Sequence, residues 1–104
     1  MYLIVLCTVP SGETGLSIAR TLVHEGLAAC VNLLPGLTSV YRWEGQVEEN
    51  PEQLLLIKTK EEAYPALEQR IQELHPYQVP EVVAIRVERG LPAYLDWLKS
   101  STQG

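Results

Sequence analysis

The sequence predicts an α+β domain with the element order βαββαβ, closed by one additional helix. Three observations predict it. Two stretches of helical periodicity, residues 11–26 and 59–75, each follow an apolar run of strand character. Between them, two long arms rich in Val, Leu and Tyr meet at Glu44-Gly45. A short alternating run, Glu81 to Glu88, follows the second helical stretch.

The first strand is Tyr2 to Val9, with Ile4 and Val5 at its centre and Pro10, Ser11 and Gly12 at its end. So apolar a run reads as a strand buried on both faces. Ser11 is the expected N-cap of the first helix, with Glu13 in its first turn. Gly15, Leu16, Ile18, Ala19, Leu22 and Val23 then recur at three-and-four spacing until Gly26 stops the helix.

Leu27 to Trp43 and Gln46 to Lys58 form the arms of a hairpin, with Glu44-Gly45 as the reversal. Arms of more than a dozen residues reach roughly 40 Å, about twice the usual strand length. Pro35-Gly36 and Pro51 interrupt them, as at a bulge or an edge, so Thr38 to Glu52 is expected to project beyond the base. Thr59 and Glu62 stand at capping-box spacing, Pro65 lies near the first turn, and Ala63, Leu67, Ile71 and Leu74 mark one face of the second helix. His75-Pro76 ends it. In the fourth strand Val83, Ile85 and Val87 oppose Val82, Ala84, Arg86 and Glu88, and Gly90 and Pro92 open a terminal helix carrying Tyr94, Leu95, Trp97 and Leu98.

This order is the split pattern of a ferredoxin-like sandwich, a four-stranded antiparallel sheet with two helices on one face. Two helices of about fifteen residues cover only part of so long a hairpin, and exposed edges invite pairing. A homo-oligomer is expected, with neighbouring copies packing along the ribbon.

A chain of 104 residues is expected to form one domain over 1–104. It buries roughly 65% of its unfolded surface, enough to fold without disulfides or structural zinc. Eight basic against thirteen acidic residues give a net charge of −5, which repels phosphate backbones and anionic lipid. Nucleic acid and membranes are therefore not expected partners. The longest apolar run, Met1 to Cys7, is too short to span a bilayer and has no basic segment before it, so a cytoplasmic location is expected. Cys7 and Cys30 lack paired spacing and read as free thiols. Phosphate loops, HExxH and GxSxG motifs do not occur, and two histidines leave little acid–base machinery, so no enzyme and no organic cofactor are expected.

Several separated words occur in one order: Leu6-Cys7-Thr8; Leu27-Ala28-Ala29-Cys30-Val31-Asn32; Pro35, Ser39, Tyr41, Trp43 and Gly45; Lys58-Thr59; His75-Pro76-Tyr77 with Pro80-Glu81; Tyr94-Leu95-x-Trp97-Leu98. Over nearly the whole chain they resemble the CutA divalent-cation tolerance family. The resemblance implies a ferredoxin-like homotrimer, similar in assembly to the P-II signalling proteins, with a role in divalent metal tolerance and no established catalytic activity. It also implies copper ligation by a cysteine at the position of Cys7 and by histidines preceding Pro-Tyr. Here His75 matches one histidine and Leu74 stands where some members carry another.

Read from the residues, Cys7 near the end of the first strand and His75 before the fourth belong to neighbouring strands. Thiolate and imidazole suit copper or zinc. The same residues also read as a small buried hydrophobe and a helix-terminal histidine. Tyr41 and Trp43 alternate onto one hairpin face, with Asn32 and Lys58 nearer the base and Tyr77 and Glu81 flanking the turn that holds His75. Together these six are candidates to line an inter-subunit cleft, where Lys58 would meet a small anion and the aromatics would supply contact area. Packing at an interface is the alternative for Trp43. Glu44, Glu48, Glu49 and Glu52 lack calcium-loop spacing and read as a solvated acidic tip.

Overall fold

A computed structural model of the chain describes residues 1–103. Strand β1 (Tyr2–Pro10) leads to α1 (Thr14–His24), then β2 (Cys30–Trp43) and β3 (Gln46–Lys60). A single 3-10 turn, Glu61–Ala63, precedes α2 (Tyr64–Leu74), which is followed by β4 (Val83–Arg86) and α3 (Pro92–Ser100). The sheet order is β2-β3-β1-β4, and every neighbouring pair is antiparallel.

Strand β1 alternates strictly. Leu3, Val5, Cys7 and Val9 are buried, while the residues between them are half-buried. The expected burial on both faces is therefore corrected to burial on one. Leu3, Val5, Cys7 and Val9 join Leu55 and Ile57 of β3, Ile18 and Leu22 of α1, and Leu67 and Ile71 of α2 in one core. Removing such side chains from water supplies roughly 1.5–3 kcal/mol each. On the opposite face the register pairs Leu6 with Leu56 and Thr8 with Leu54 of β3, sets Ile4 beside Lys58, and pairs Ile4 and Leu6 with Ile85 and Val83 of β4. Among the described residues that face is less sheltered than the helix side: Ile4, Leu6, Leu54 and Leu56 are half-buried, and Val83 and Ile85 are half exposed.

Both expected caps are replaced. Ser11 sits in the turn before α1, and the N-cap position falls on Glu13, whose side chain makes no capping bond. Thr59 remains in β3, where its hydroxyl donates to the Leu27 carbonyl at 2.8 Å, a tertiary bond that supplants the local capping box. Pro65 does open α2, at a position that needs no N–H. Each of the two helices holds 11 residues, shorter than the periodicity suggested. Gly15 lets α1 approach closely, since a Cβ there would stand 2.9 Å from both Gln53 Oε1 and Val9 Cγ2.

The hairpin runs the length of a molecule 44 Å long, with 14 residues in β2 and 15 in β3. Glu44 and Gly45 both have positive φ, 50° and 79°, as a two-residue I′ reversal requires. A register shift between Leu34 and Leu37 accommodates Pro35 and Gly36 as a bulge. Beyond it, residues 38–49 lie outside the cover of the helices, as expected from the breaks. The fourth strand keeps only Val83–Arg86 of the expected run, because Glu81 and Val82 belong to the segment entering from α2. Helix α3 buries Leu98 and ties its end to α1 through a bond from the Gln103 N–H to the Gly26 carbonyl at 2.8 Å.

Candidate functional site

Where the bulged hairpin leaves the body, the segment that follows α2 crosses beside it and encloses a groove of about 600 Å³. Thr8 and Glu52 form its floor, Tyr41 and Trp43 one wall, and Tyr77 and Val79 the other, with Glu81 at the margin. The local causes are separable. Period-two alternation beyond the bulge puts Ser39, Tyr41 and Trp43 on one side of β2. Pro76 and Pro80 prevent the intervening segment from continuing α2 or extending β4.

His75 locks this segment to the sheet. Its Nδ1 accepts the Tyr77 backbone N–H at 3.1 Å, so Nε2 carries the ring proton and donates to the Thr8 carbonyl at 2.8 Å. Its ring lies 4.6 Å from that of Tyr77. The Tyr77 hydroxyl donates to Glu52 Oε2 at 2.5 Å, and burial with this neighbouring carboxylate raises the phenol's pKa. Asn50 donates to the Tyr41 hydroxyl at 2.6 Å, fixing the opposite wall.

Cys7 lies directly beneath. Its thiol is fully buried, and burial pushes its pKa up to about 12, helped by the charges of Glu81 and Glu52. Cys7 and His75 thus come to the same end of β1, one pointing into the core and the other bonded to Thr8. In this arrangement both imidazole nitrogens are engaged and the thiol is held protonated, so the pair does not offer lone pairs to a resident ion. Among the described residues, no three His, Cys, Asp or Glu side chains are grouped as metal ligands would be.

The six cleft candidates divide. Tyr41, Trp43, Tyr77 and Glu81 line one groove, whereas Asn32 and Lys58 do not. Lys58 Nζ instead donates to Asn32 Oδ1 near the base of the open sheet face, with the Cys30 thiol 3.9 Å from the same oxygen. The register explains the division, because Asn32 pairs with Leu56 on the body side of the bulge and Ser39 with Asn50 beyond it. Without Lys58 the groove has no lysine or arginine in its lining, and its expected anion-binding character becomes acidic. Glu52 is the residue that sequence reasoning misassigned. Expected in a solvated tip, it is 5% exposed, held by a tyrosine 25 positions away for which the local sequence carries no signal.

Fold and groove define a class: a single-sheet α+β protein whose ribbon outruns the helices behind it and shelters a cleft at its root. The chain belongs to the CutA1 divalent ion tolerance protein family, whose model matches residues 3–101. It is 56% identical over 99 residues to the divalent-cation tolerance protein CutA of Thermus thermophilus, covering 95% of this chain and 96% of that one. A solved Thermus structure superposes with a TM-score of 0.97 at 54% identity, over 99% of this chain and 100% of the other. A chloroplastic CutA of Arabidopsis thaliana is 46% identical over 97% of this chain, which spans 56% of that protein's length. An Archaeoglobus fulgidus structure, described as a periplasmic divalent cation tolerance protein CutA, superposes with a TM-score of 0.95 at 35% identity, over 99% of this chain and 100% of that one. Among the described residues no helix is long and apolar enough to cross a membrane.

Proposed function

We propose that the protein acts as a cytoplasmic homotrimer of ferredoxin-like protomers in the response to divalent metal ions, binding copper or another divalent ion as cargo without catalysing a reaction. Family membership supports the tolerance role, and one structural observation carries the assembly. The sheet face carrying Ile4, Leu6, Leu54, Leu56, Val83 and Ile85 is largely apolar and only partly covered among the described residues. A second and third copy supply that cover. Sedimentation at micromolar concentration is expected to give a trimer, and Leu6→Glu to give monomers; a wild-type particle of 11.6 kDa overturns the assembly.

Cys7 and His75 remain the proposed ligands. Engaging an ion requires His75 to release Thr8 or the Tyr77 N–H and Cys7 to lose its proton, so binding is coupled to opening of the 75–82 segment and strengthens as pH rises. Copper and zinc titrations on Cys7→Ala and His75→Ala test this, with weaker binding expected in each. Unchanged stoichiometry and affinity in both variants remove these residues from the site.

A second reading, a P-II-like regulatory or scaffold trimer that takes a small ligand or docks a partner protein, is favoured by the size of the groove. Ligands that bind the native state raise its melting temperature, so a thermal-shift screen separates the readings. A response to metals alone supports the first.

A further inference from the structure

Direct cross-strand partners share a sheet face, so the register maps the face turned away from α1 and α2 row by row. One row runs Cys30, Lys58, Ile4 and Ile85 across β2, β3, β1 and β4, and the next runs Asn32, Leu56, Leu6 and Val83. Lys58 is the only charged residue in either row. Lys60, further along β3, is drawn to the end of the sheet, where its Nζ donates to the Lys99 carbonyl at 3.3 Å. Among the described residues Lys58 forms no ion pair, and its Nζ donates one hydrogen bond, to Asn32 Oδ1.

Such a placement conflicts with burial between copies unless the covering copy meets the charge. An ammonium has three donors. Asn32 takes one, and contact with an apolar surface strips water from the others. The apolar rows alone select no register, because hydrophobic burial is non-directional, and a slide along the strands or a different number of copies buries similar area. The ammonium separates these arrangements. Registers that set it against another copy's aliphatic side chains remove its hydration without replacement, whereas one that brings oxygen acceptors to Nζ keeps it satisfied. A single polar side chain in an apolar interface fixes register and copy number in this way in coiled coils, at a cost in stability.

We propose that Lys58, oriented by Asn32, sets the register and copy number of the assembly: it admits the arrangement in which a second copy of this chain presents carbonyl or carboxylate oxygen to its ammonium, and rejects those that do not. This rests on the trimer reading and adds to it the residue that makes one arrangement unique.

Lys58→Met keeps the length of the side chain and removes its charge and donors, whereas Lys58→Arg keeps both. The full chain and the two variants are compared by sedimentation velocity at micromolar concentration and by denaturant unfolding at one protein concentration. Wild type and Lys58→Arg are expected to sediment as a single trimer. Lys58→Met is expected to form other species besides, their ratio to trimer rising at least about tenfold. Its unfolding midpoint is expected at or above that of wild type, because an apolar residue in place of a buried charge is often stabilising. A Lys58→Met chain that sediments only as trimer overturns the proposal and leaves the trimer reading standing. Monomers of that variant, or a lowered midpoint, also overturn it, since Lys58 then supplies affinity or stability rather than register. Mixed species in Lys58→Arg overturn it as well, because the charge is retained there. Wild-type particles of 11.6 kDa overturn both the proposal and the trimer reading.

Discussion

The base of the sheet and the distal ribbon are continuous stretches of the same two strands in opposite surroundings. At the base, Leu55 and Ile57 are fully buried beneath the two helices, and Val31 and Leu33 of β2 pack against that core. Past the bulge, Val40 and Val47 are 63% and 61% exposed, although the ladder of paired residues continues to Trp43 and Gln46. Strand formation and burial are therefore set by different features. Alternation, β-propensity and a reversal at Glu44-Gly45 suffice to extend the hairpin, whereas the reach of the core is limited by two helices of 11 residues each. A ribbon longer than its cover leaves apolar surface for something else to contact.

The largest effect that separates the two regions is expected from truncations on β3. Leu55→Ala opens a cavity in the core and is expected to cost about 3–5 kcal/mol. Val47→Ala, on the same strand, is expected to cost less than about 0.5 kcal/mol in a protomer whose ribbon is solvated. Denaturant unfolding of both variants measures the difference. A Val47→Ala cost above about 1 kcal/mol, disappearing on dilution below the assembly threshold, would place that side chain in a contact between copies.

A second difference concerns protons. The buried Cys7 thiol has its pKa raised from 9.0 to about 12, so the folded state retains a proton that the unfolded chain loses above pH 9. Stability from this group is fully present below pH 9 and is lost as pH rises towards 12. The loss is about 1–2 kcal/mol at pH 10. Tyr64, raised to about 12 by burial and its bond to Glu68, and Tyr77, raised above its usual value, add to the alkaline loss. The part belonging to the thiol is the part removed by Cys7→Val, measured as the change in unfolding free energy between pH 8 and pH 10. An identical alkaline slope in Cys7→Val would contradict a protonated thiol in the core.

Local signals wrote the parts of this molecule that local forces decide. The element order, the reversal at Glu44-Gly45, the break at Pro35-Gly36, the start of α2 at Pro65 and the opening of α3 at Pro92 are each legible from residues adjacent to the feature. What failed to show was decided at a distance. Ile4 and Leu6 are as apolar as Leu3 and Val5, so the sequence cannot distinguish a face covered by helices from one left open. Thr59 carries capping-box spacing, yet its hydroxyl is taken by Leu27, 32 residues away. At the groove, Tyr41, Trp43, Tyr77 and Glu81 followed from alternation and from their place beside a turn. The loss of Asn32 and Lys58 from that set follows from the bulge, and the burial of Glu52 from its bond with Tyr77.

The smallest expected effect tests whether the two regions unfold together. Glu44 occupies φ 50°, a conformation that costs a non-glycine residue roughly 1 kcal/mol and that asparagine tolerates better. Glu44→Asn should therefore stabilise the reversal by about 0.5–1 kcal/mol. The bulge between Leu34 and Leu37 interrupts the β2–β3 pairing between this turn and the core. If the bulge divides the sheet into separately opening units, the gain stays local. Amides of residues 38–50 are then expected to exchange about two- to fivefold more slowly, with those of residues 54–57 and the global unfolding midpoint unchanged. Slower exchange at both ends of the strands would instead make base and ribbon one cooperative unit, with the ribbon held to the core through the bulge.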